Sequence, residues 1–244
     1  MSQVTEDLSL LPHPVKLLDG IRSLRQKAKF YNQMEEVFIR QVYGWLYRRI
    51  VPNTVVIDIG MNVGLSALYF TTNELVNVIS FEPFRPTYSQ AMENFSLNPN
   101  LRGRIDARNY GLGAADSGTT WDYLPEMRGS CGAFSHPDVL QNAKTQREMV
   151  IMRRASDVVA EIARKLNGAD LVAKIDCEGA EYEIIADLAA TGVLKAISGL
   201  MIEWHCRGAH EPCELVRLLT EQSFNVILQG RPQKQYGMLY ATRR

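Results

Sequence analysis

Apolar residues recur along the chain with two different periods, and each change of period marks an element. From Phe30 to Ile50 the positions Phe30, Met34, Val37, Phe38, Trp45, Leu46 and Ile50 keep mostly helical spacing, with Arg and Gln between them. This predicts an amphipathic helix packing onto the rest of the fold, and Pro52-Asn53 ends it. Thr54-Val-Val-Ile-Asp-Ile59 is a short β-branched run bounded by a glycine turn, hence a strand, and Leu65 to Leu75 suits a helix. Val76 to Glu82 is a second strand closed by Pro83. Pro86 stands where a first helical turn tolerates proline, opening a helix through Met92 and Phe95. Further strands are predicted near Arg104 to Tyr110, at Leu171 to Asp176 and at Leu200 to His205, the last two separated by a helix through Ile184, Ile185 and Leu188. Phe224 to Leu228 and Tyr236 to Thr242 are joined only by Gly-Arg-Pro-Gln-Lys-Gln, so they should pair as an antiparallel hairpin.

Strands alternating with helices predict a parallel sheet with helices on both faces. The closing hairpin argues against an eight-fold barrel, which would need a helix there. Ligands of such open sheets sit at the carboxyl ends of the strands, beside the topological switch point. The 123–147 segment breaks the alternation with Pro125, Gly129, Gly132 and Pro137 and reads as a loop or lid, the alternative being a disordered insertion without function. Its flanks, Thr119 to Tyr123 and Met149 to Met152, suit the strands of a side hairpin.

Composition narrows the class. The chain has 244 residues, enough for a self-supporting core. Lys plus Arg number 27 and Asp plus Glu 27, so the formal charge is zero and the basic surface of a dedicated nucleic-acid binder is missing. No apolar run approaches ~18 residues, which argues against a membrane helix. The N-terminus lacks the pattern of a signal peptide. Cys131, Cys177, Cys206 and Cys213 form no CxxC pair, so a reduced, cytoplasmic protein is expected.

Candidate chemistry lies where the strands end. The first leads into Asp58-Ile-Gly60-Met-Asn62-Val-Gly64, where glycines let backbone approach a ligand and the next helix offers free N–H groups. The spacing is neither GxGxxG nor GxxxxGK[ST]. Glu82, eighteen residues beyond Gly64, can accept hydrogen bonds from both ribose hydroxyls of an adenosyl ligand.

Four segments, taken in order, resemble those of the FkbM family of S-adenosylmethionine-dependent methyltransferases: Asp58 to Gly64, Phe81-Glu-Pro83, Lys174-Ile-Asp-Cys-Glu-Gly-Ala-Glu181 and Glu203-Trp-His205. Met61 and Cys177 stand where the family usually has alanine and valine, and Ala155-Ser-Asp157 is a looser match. The resemblance covers roughly residues 54 to 205 and the C-terminal hairpin. It implies an α/β, class I methyltransferase (Rossmann-like) three-layer sandwich. Its seven-stranded, mostly parallel sheet would have order 3-2-1-4-5-7-6 with the last strand antiparallel. Residues 1–52 then form a helical leader packing on the core, and residues 53–244 the methyltransferase domain. It further implies Asp58, Gly60, Asn62 and Gly64 around the methionine part of S-adenosyl-L-methionine, Glu82 on the ribose, and adenine near Gly111 to Gly113.

Lys174 sits in a buried strand and needs a carboxylate. If its strand and Leu200 to His205 are parallel neighbours in register, Lys174 meets Glu203 and Asp176 meets His205, since side chains alternate. Asp176 and His205 are therefore expected as an acid–base dyad activating the acceptor, against the plainer reading of His205 as a core histidine. Asp176, Glu178 and Glu181 could gather a Mg²⁺-like ion; stabilisation of a helix N-terminus is preferred for Glu178 and Glu181. His205, Cys206, His210 and Cys213 lack zinc-ligand spacing. Trp45, Phe30 and Phe38 are expected to pack helices, while Arg207 and Arg231 are expected to be solvated. The expected function is methylation of a hydroxyl on a small metabolite, sugar or polyketide, with no nucleic-acid or membrane partner, no resident metal favoured, and an undetermined oligomeric state. A nucleotide-cofactor oxidoreductase and a non-catalytic adenosyl-binding protein are the alternatives.

Overall fold

The computed structural model describes residues 33–125, 145–206, 210–230 and 235–244. Phe30, the leader before it, Cys131, the middle of the 123–147 segment, Arg207 and Arg231 lie outside the described residues.

A π-helical turn (Glu35–Ile39) and α1 (Gly44–Tyr47) precede β1 (Thr54–Ile59), which is buried along its whole length. Then come α2 (Leu65–Thr71), β2 (Val76–Phe81), α3 (Arg85–Ser96), α4 (Pro99–Arg102) and β3 (Ile105–Arg108). β4 (Gly111–Gly113), β5 (Ser117–Tyr123) and β6 (Gln146–Arg154) form a small separate sheet of order β4-β6-β5, with β5 and β6 antiparallel. The main sheet resumes with α5 (Ala155–Lys165), β7 (Asp170–Ile175), α6 (Glu181–Ala190), a 3₁₀ turn (Val193–Ala196) and β8 (Ile197–His205). It closes with α7 (Pro212–Glu221), β9 (Phe224–Gln229) and β10 (Tyr236–Arg243).

The main sheet runs β3-β2-β1-β7-β8-β10-β9. Counting its own strands in chain order, that is 3-2-1-4-5-7-6, and β10 is antiparallel to both neighbours. Local chemistry explains the elements. α3 begins with proline in its first turn. α5 carries Asp157 in its first turn and Arg164 and Lys165 in its last, which suits its dipole. α7 is closed by a capping box in which the Glu211 amide donates to Glu214 at 2.9 Å.

Two cores flank the sheet. One packs α5, α6 and α7 on Val55, Ile57, Ala173 and Leu200, and the other packs α2, α3 and the N-terminal segment on Val56, Val78, Val172 and Met201. The N-terminal segment differs from expectation, because no single helix spans it. The chain breaks at Gln41, whose φ is +50°. Five residues of unbroken helix would turn Phe38 and Tyr43 about 140° apart. With the break, Phe38, Tyr43 and Tyr47 all reach Tyr69 of α2, with centroids 5.9, 6.4 and 5.0 Å away.

Candidate active site

The turn after β1 is held from below by the tip of β2: the Gly60 and Met61 amides both donate to the Phe81 carbonyl. Gly60 has φ +81°, and a Cβ there would lie 1.8 Å from the Asp176 carbonyl oxygen. Only glycine fits where β1 passes so close to the end of β7. Asn62 also takes positive φ, and Gly64, at +86°, starts α2. The Asn62 amide donates to one oxygen of Glu82 and the Phe84 amide to the other, both at 3.0 Å. Burial pushes the Glu82 carboxyl up to about 7, although both amides and Lys174 favour its charged form. Among the described residues, Asn62 Oδ1 is buried without a hydrogen-bond partner.

Beneath this turn lies a buried ion pair. Lys174 Nζ is 3.2 Å from Asp58 Oδ1 and 3.7 Å from Asp176 Oδ2, and it donates to the Gly60 carbonyl at 2.7 Å. Asp58 also accepts from Ser66 at 2.7 Å and Ser80 at 3.3 Å. The Lys174 partner is therefore Asp58 on β1, and the expected Lys174–Glu203 pairing is corrected. Lys174 lies beside Met201 in the register, and Ile175 beside Ile202, so Asp176 falls next to Glu203 and not next to His205. A register irregularity between Leu171 and Val172 accompanies this alignment.

His205 takes other partners. Its Nδ1 is 3.2 Å from Glu181 and its Nε2 3.8 Å from Glu178. Glu181 is fully buried and also accepts from the amides of Gly179 and His205, so it clamps the start of α6 to the tip of β8. Glu181 lies in the first turn of α6, the position that the dipole reading requires. Glu178 precedes the helix in a left-handed conformation, φ +55°, and faces the imidazole. Burial disfavours an imidazolium, but the Glu181 bond and the Glu178 and Asp176 charges outweigh it and raise His205 to about 9. A group raised from 6.5 to about 9 stabilises the fold below pH 6.5, and that contribution is lost as pH rises through 9. Wild-type stability, measured by urea denaturation, should thus fall between pH 6.5 and 9 by about 3 kcal/mol more than that of His205→Gln. Equal slopes would remove the charged histidine.

The strand tips open on a cavity of about 490 Å³. Gly60, Asn62, Lys174, Asp176, Glu178 and Glu203 form its floor, β10 supplies Met238 and Tyr240, and the N-terminal segment supplies Glu36, Val37 and Tyr43. The Tyr43 ring lies over Lys174, 5.7 Å from Nζ. Of the sequence-predicted residues, the structure brings Gly60, Asn62 and Asp176 into this wall, with Glu82 bonded to it through Asn62. Asp58 and His205 do not line it. Gly111 and Gly113 fall in β4, against Met152 and beside Glu183 respectively. A hollow of about 560 Å³ lies at the opposite end of the strands, around Asn53, Asn77 and Arg104.

Sequence reasoning missed Tyr43 and the cavity-facing role of Glu203. The first lies outside any regular period, whereas an acidic residue two before a strand-end histidine was a usable signal. Among the described residues, no three His, Cys, Asp or Glu side chains converge as metal ligands. His210 instead stacks on Tyr182 at 4.7 Å and bonds Glu214. Also among them, no helix is long and apolar enough to cross a membrane.

The chain is 25% identical over 174 residues to "Methyltransferase sdnD" of Sordaria araneosa, covering 62% of this chain and 66% of that protein. It is 23% identical over 203 residues to "AMB antimetabolite synthetase AmbE" of Pseudomonas aeruginosa, covering 70% of this chain but only 9% of the relative's length. Among solved structures, a candidate rRNA-methylase of Clostridium thermocellum superposes with TM-score 0.51 at 9% identity, over 84% of this chain and 97% of that one, a likeness of fold alone. The model of the methyltransferase FkbM domain matches residues 58–226, which takes in the glycine turn, Glu82, Lys174 to Glu181 and Glu203 to His205. The chain belongs to the FkbM methyltransferase family.

Proposed function

We propose that this chain is an S-adenosylmethionine-dependent methyltransferase that methylates a hydroxyl oxygen of a small metabolite. The observation that carries the reading is Glu82: a buried carboxylate at the tip of β2, tied to the Asn62 amide of a glycine turn that opens on the cavity. A carboxylate so placed suits the ribose diol, with Gly60, Asn62 and Gly64 around the methionine part and adenine towards Gly111 and Gly113. Asn62 Oδ1, buried and unpaired among the described residues, fits a donor such as the cofactor's ammonium. Asp58 would act through Lys174, which fixes the Gly60 carbonyl. The cofactor supplies an electrophilic methyl; the protein's part is to hold an alcohol in line with it and take its proton. Residues 33–43, outside the span matched by the family, contribute one wall and would shape the choice of acceptor.

Calorimetric titration with S-adenosylhomocysteine tests this. Wild type should bind in the micromolar range, and Glu82→Ala should weaken binding about 100-fold, the loss of two charge-assisted hydrogen bonds. Glu82→Gln, which keeps one acceptor, should fall between them. Folded wild type that fails to bind would dismiss the reading. With binding in hand, a panel of sugars, secondary alcohols and phenols identifies the acceptor.

A further inference from the structure

We propose that Glu203, acting as a pair with Asp176, is the proton acceptor for the alcohol that takes the methyl group; this rests on the methyltransferase reading above. Three observations carry it. Glu203 lines the cavity beside Asp176. One residue beyond the Ile175–Ile202 alignment, the parallel register sets these two carboxyls side by side at the strand tips. Glu203 also makes no hydrogen bond or ion pair among the described residues, whereas its neighbours are committed. Glu82 holds two amides, Asp58 holds Lys174, and Glu181 holds His205 and Gly179.

His205 is the rival, and its contacts argue against it. It does not line the cavity, and with Nδ1 on Glu181 and Nε2 near Glu178 it is held as a cation, which has no lone pair to take a proton. The groups facing Glu203 are Lys174 on β7, Asp176 and Glu178 beyond it, His205 on its own strand, Tyr240 on β10 and Tyr43 from the N-terminal segment. Burial and the Asp176 charge push Glu203 up to about 8, so Glu203 itself holds a proton near neutral pH. A positive charge entering the cavity favours release of that proton. In transfer, a C–O bond forms at the methyl carbon as the C–S bond breaks, its electron pair remaining on sulfur, while Glu203 takes the hydroxyl proton and later yields it to water.

S-adenosylmethionine and S-adenosylhomocysteine differ by the methyl and its charge, so proton uptake or release at Glu82 beside the common ribose cancels between them. Calorimetry at pH 7.5 in buffers of different ionisation heat counts the protons released by each. Wild type should release up to one more proton with S-adenosylmethionine than with S-adenosylhomocysteine. Glu203→Gln should bind S-adenosylhomocysteine as wild type does and lose that excess, and His205→Gln should keep it. No excess in wild type, an excess that survives Glu203→Gln, or one lost in His205→Gln would overturn the proposal. Failure of wild type to bind either compound would instead remove the methyltransferase reading itself. On an alcohol from the acceptor panel, Glu203→Gln should slow transfer roughly 10²–10⁴-fold; a rate within threefold of wild type would overturn the assignment.

Discussion

Asp58→Ala should destabilise the protein by about 3–5 kcal/mol, the range for removing one partner of a buried ion pair. The loss is large because of what remains. Lys174 is 2% exposed, and without Asp58 its ammonium keeps, among the described residues, the Gly60 carbonyl, an Asp176 oxygen 3.7 Å away and the face of the Tyr43 ring. Ser66 and Ser80 lose their acceptor at the same time. Adding Lys174→Met should recover most of that stability, since a hydrophobic replacement of the whole pair removes the uncompensated charge. Urea denaturation of the two variants checks this. A single-variant loss under about 1 kcal/mol would mean that the ammonium is satisfied elsewhere.

Gly60→Ala should be about as damaging, for a steric reason. The added methyl would sit 1.8 Å from the Asp176 carbonyl oxygen, which is backbone and cannot swing aside, and φ +81° adds strain of roughly 1–2 kcal/mol. The relief available is separation of the β1 and β7 tips, which breaks the Asp176 amide bond to the Ile59 carbonyl. A loss of at least about 3 kcal/mol is expected, seen as a fall in Tm of roughly 6–12 °C. Gly103→Ala is the matched control, because a Cβ there meets nothing within 4 Å, and its Tm should stay close to wild type. An unchanged Tm for Gly60→Ala would show that the two tips are not packed as described.

The main sheet is legible because its strands carry two signals at once, β-branched runs and turn residues at their ends. Thr54 to Ile59 can be read to the residue, and the hairpin of β9 and β10 comes from its short connection. The register of β7 against β8 is not legible, and the reason is the strand period. Sliding a strand by two residues leaves every side chain on its own face, so hydrophobic alternation cannot detect the error. That slip sets Lys174 against Glu203 and Asp176 against His205, when the real neighbours are Met201 and Glu203. The Lys174–Asp58 pair is hidden for a related reason: the carboxylate sits across the sheet on β1, and lateral order alone does not choose between two flanking strands. Tyr43 escapes because the break at Gln41 interrupts any period that could have placed it.

The insertion of β10 between β8 and β9 bears on the order of assembly. β9 is made before β10 yet has no place in the sheet until β10 has docked on β8. Until then β8 presents a bare hydrogen-bonding edge, and long-range pairing of this kind is slow. Met238 and Tyr240 arrive with β10, so a growing chain can complete the Asp58–Lys174 anchor and the Glu82 turn while the β10 wall of the cavity is still missing. The cavity is thus the last part of the fold to close, and on the function proposed above a nascent chain would hold the parts for its cofactor before the final wall of its pocket.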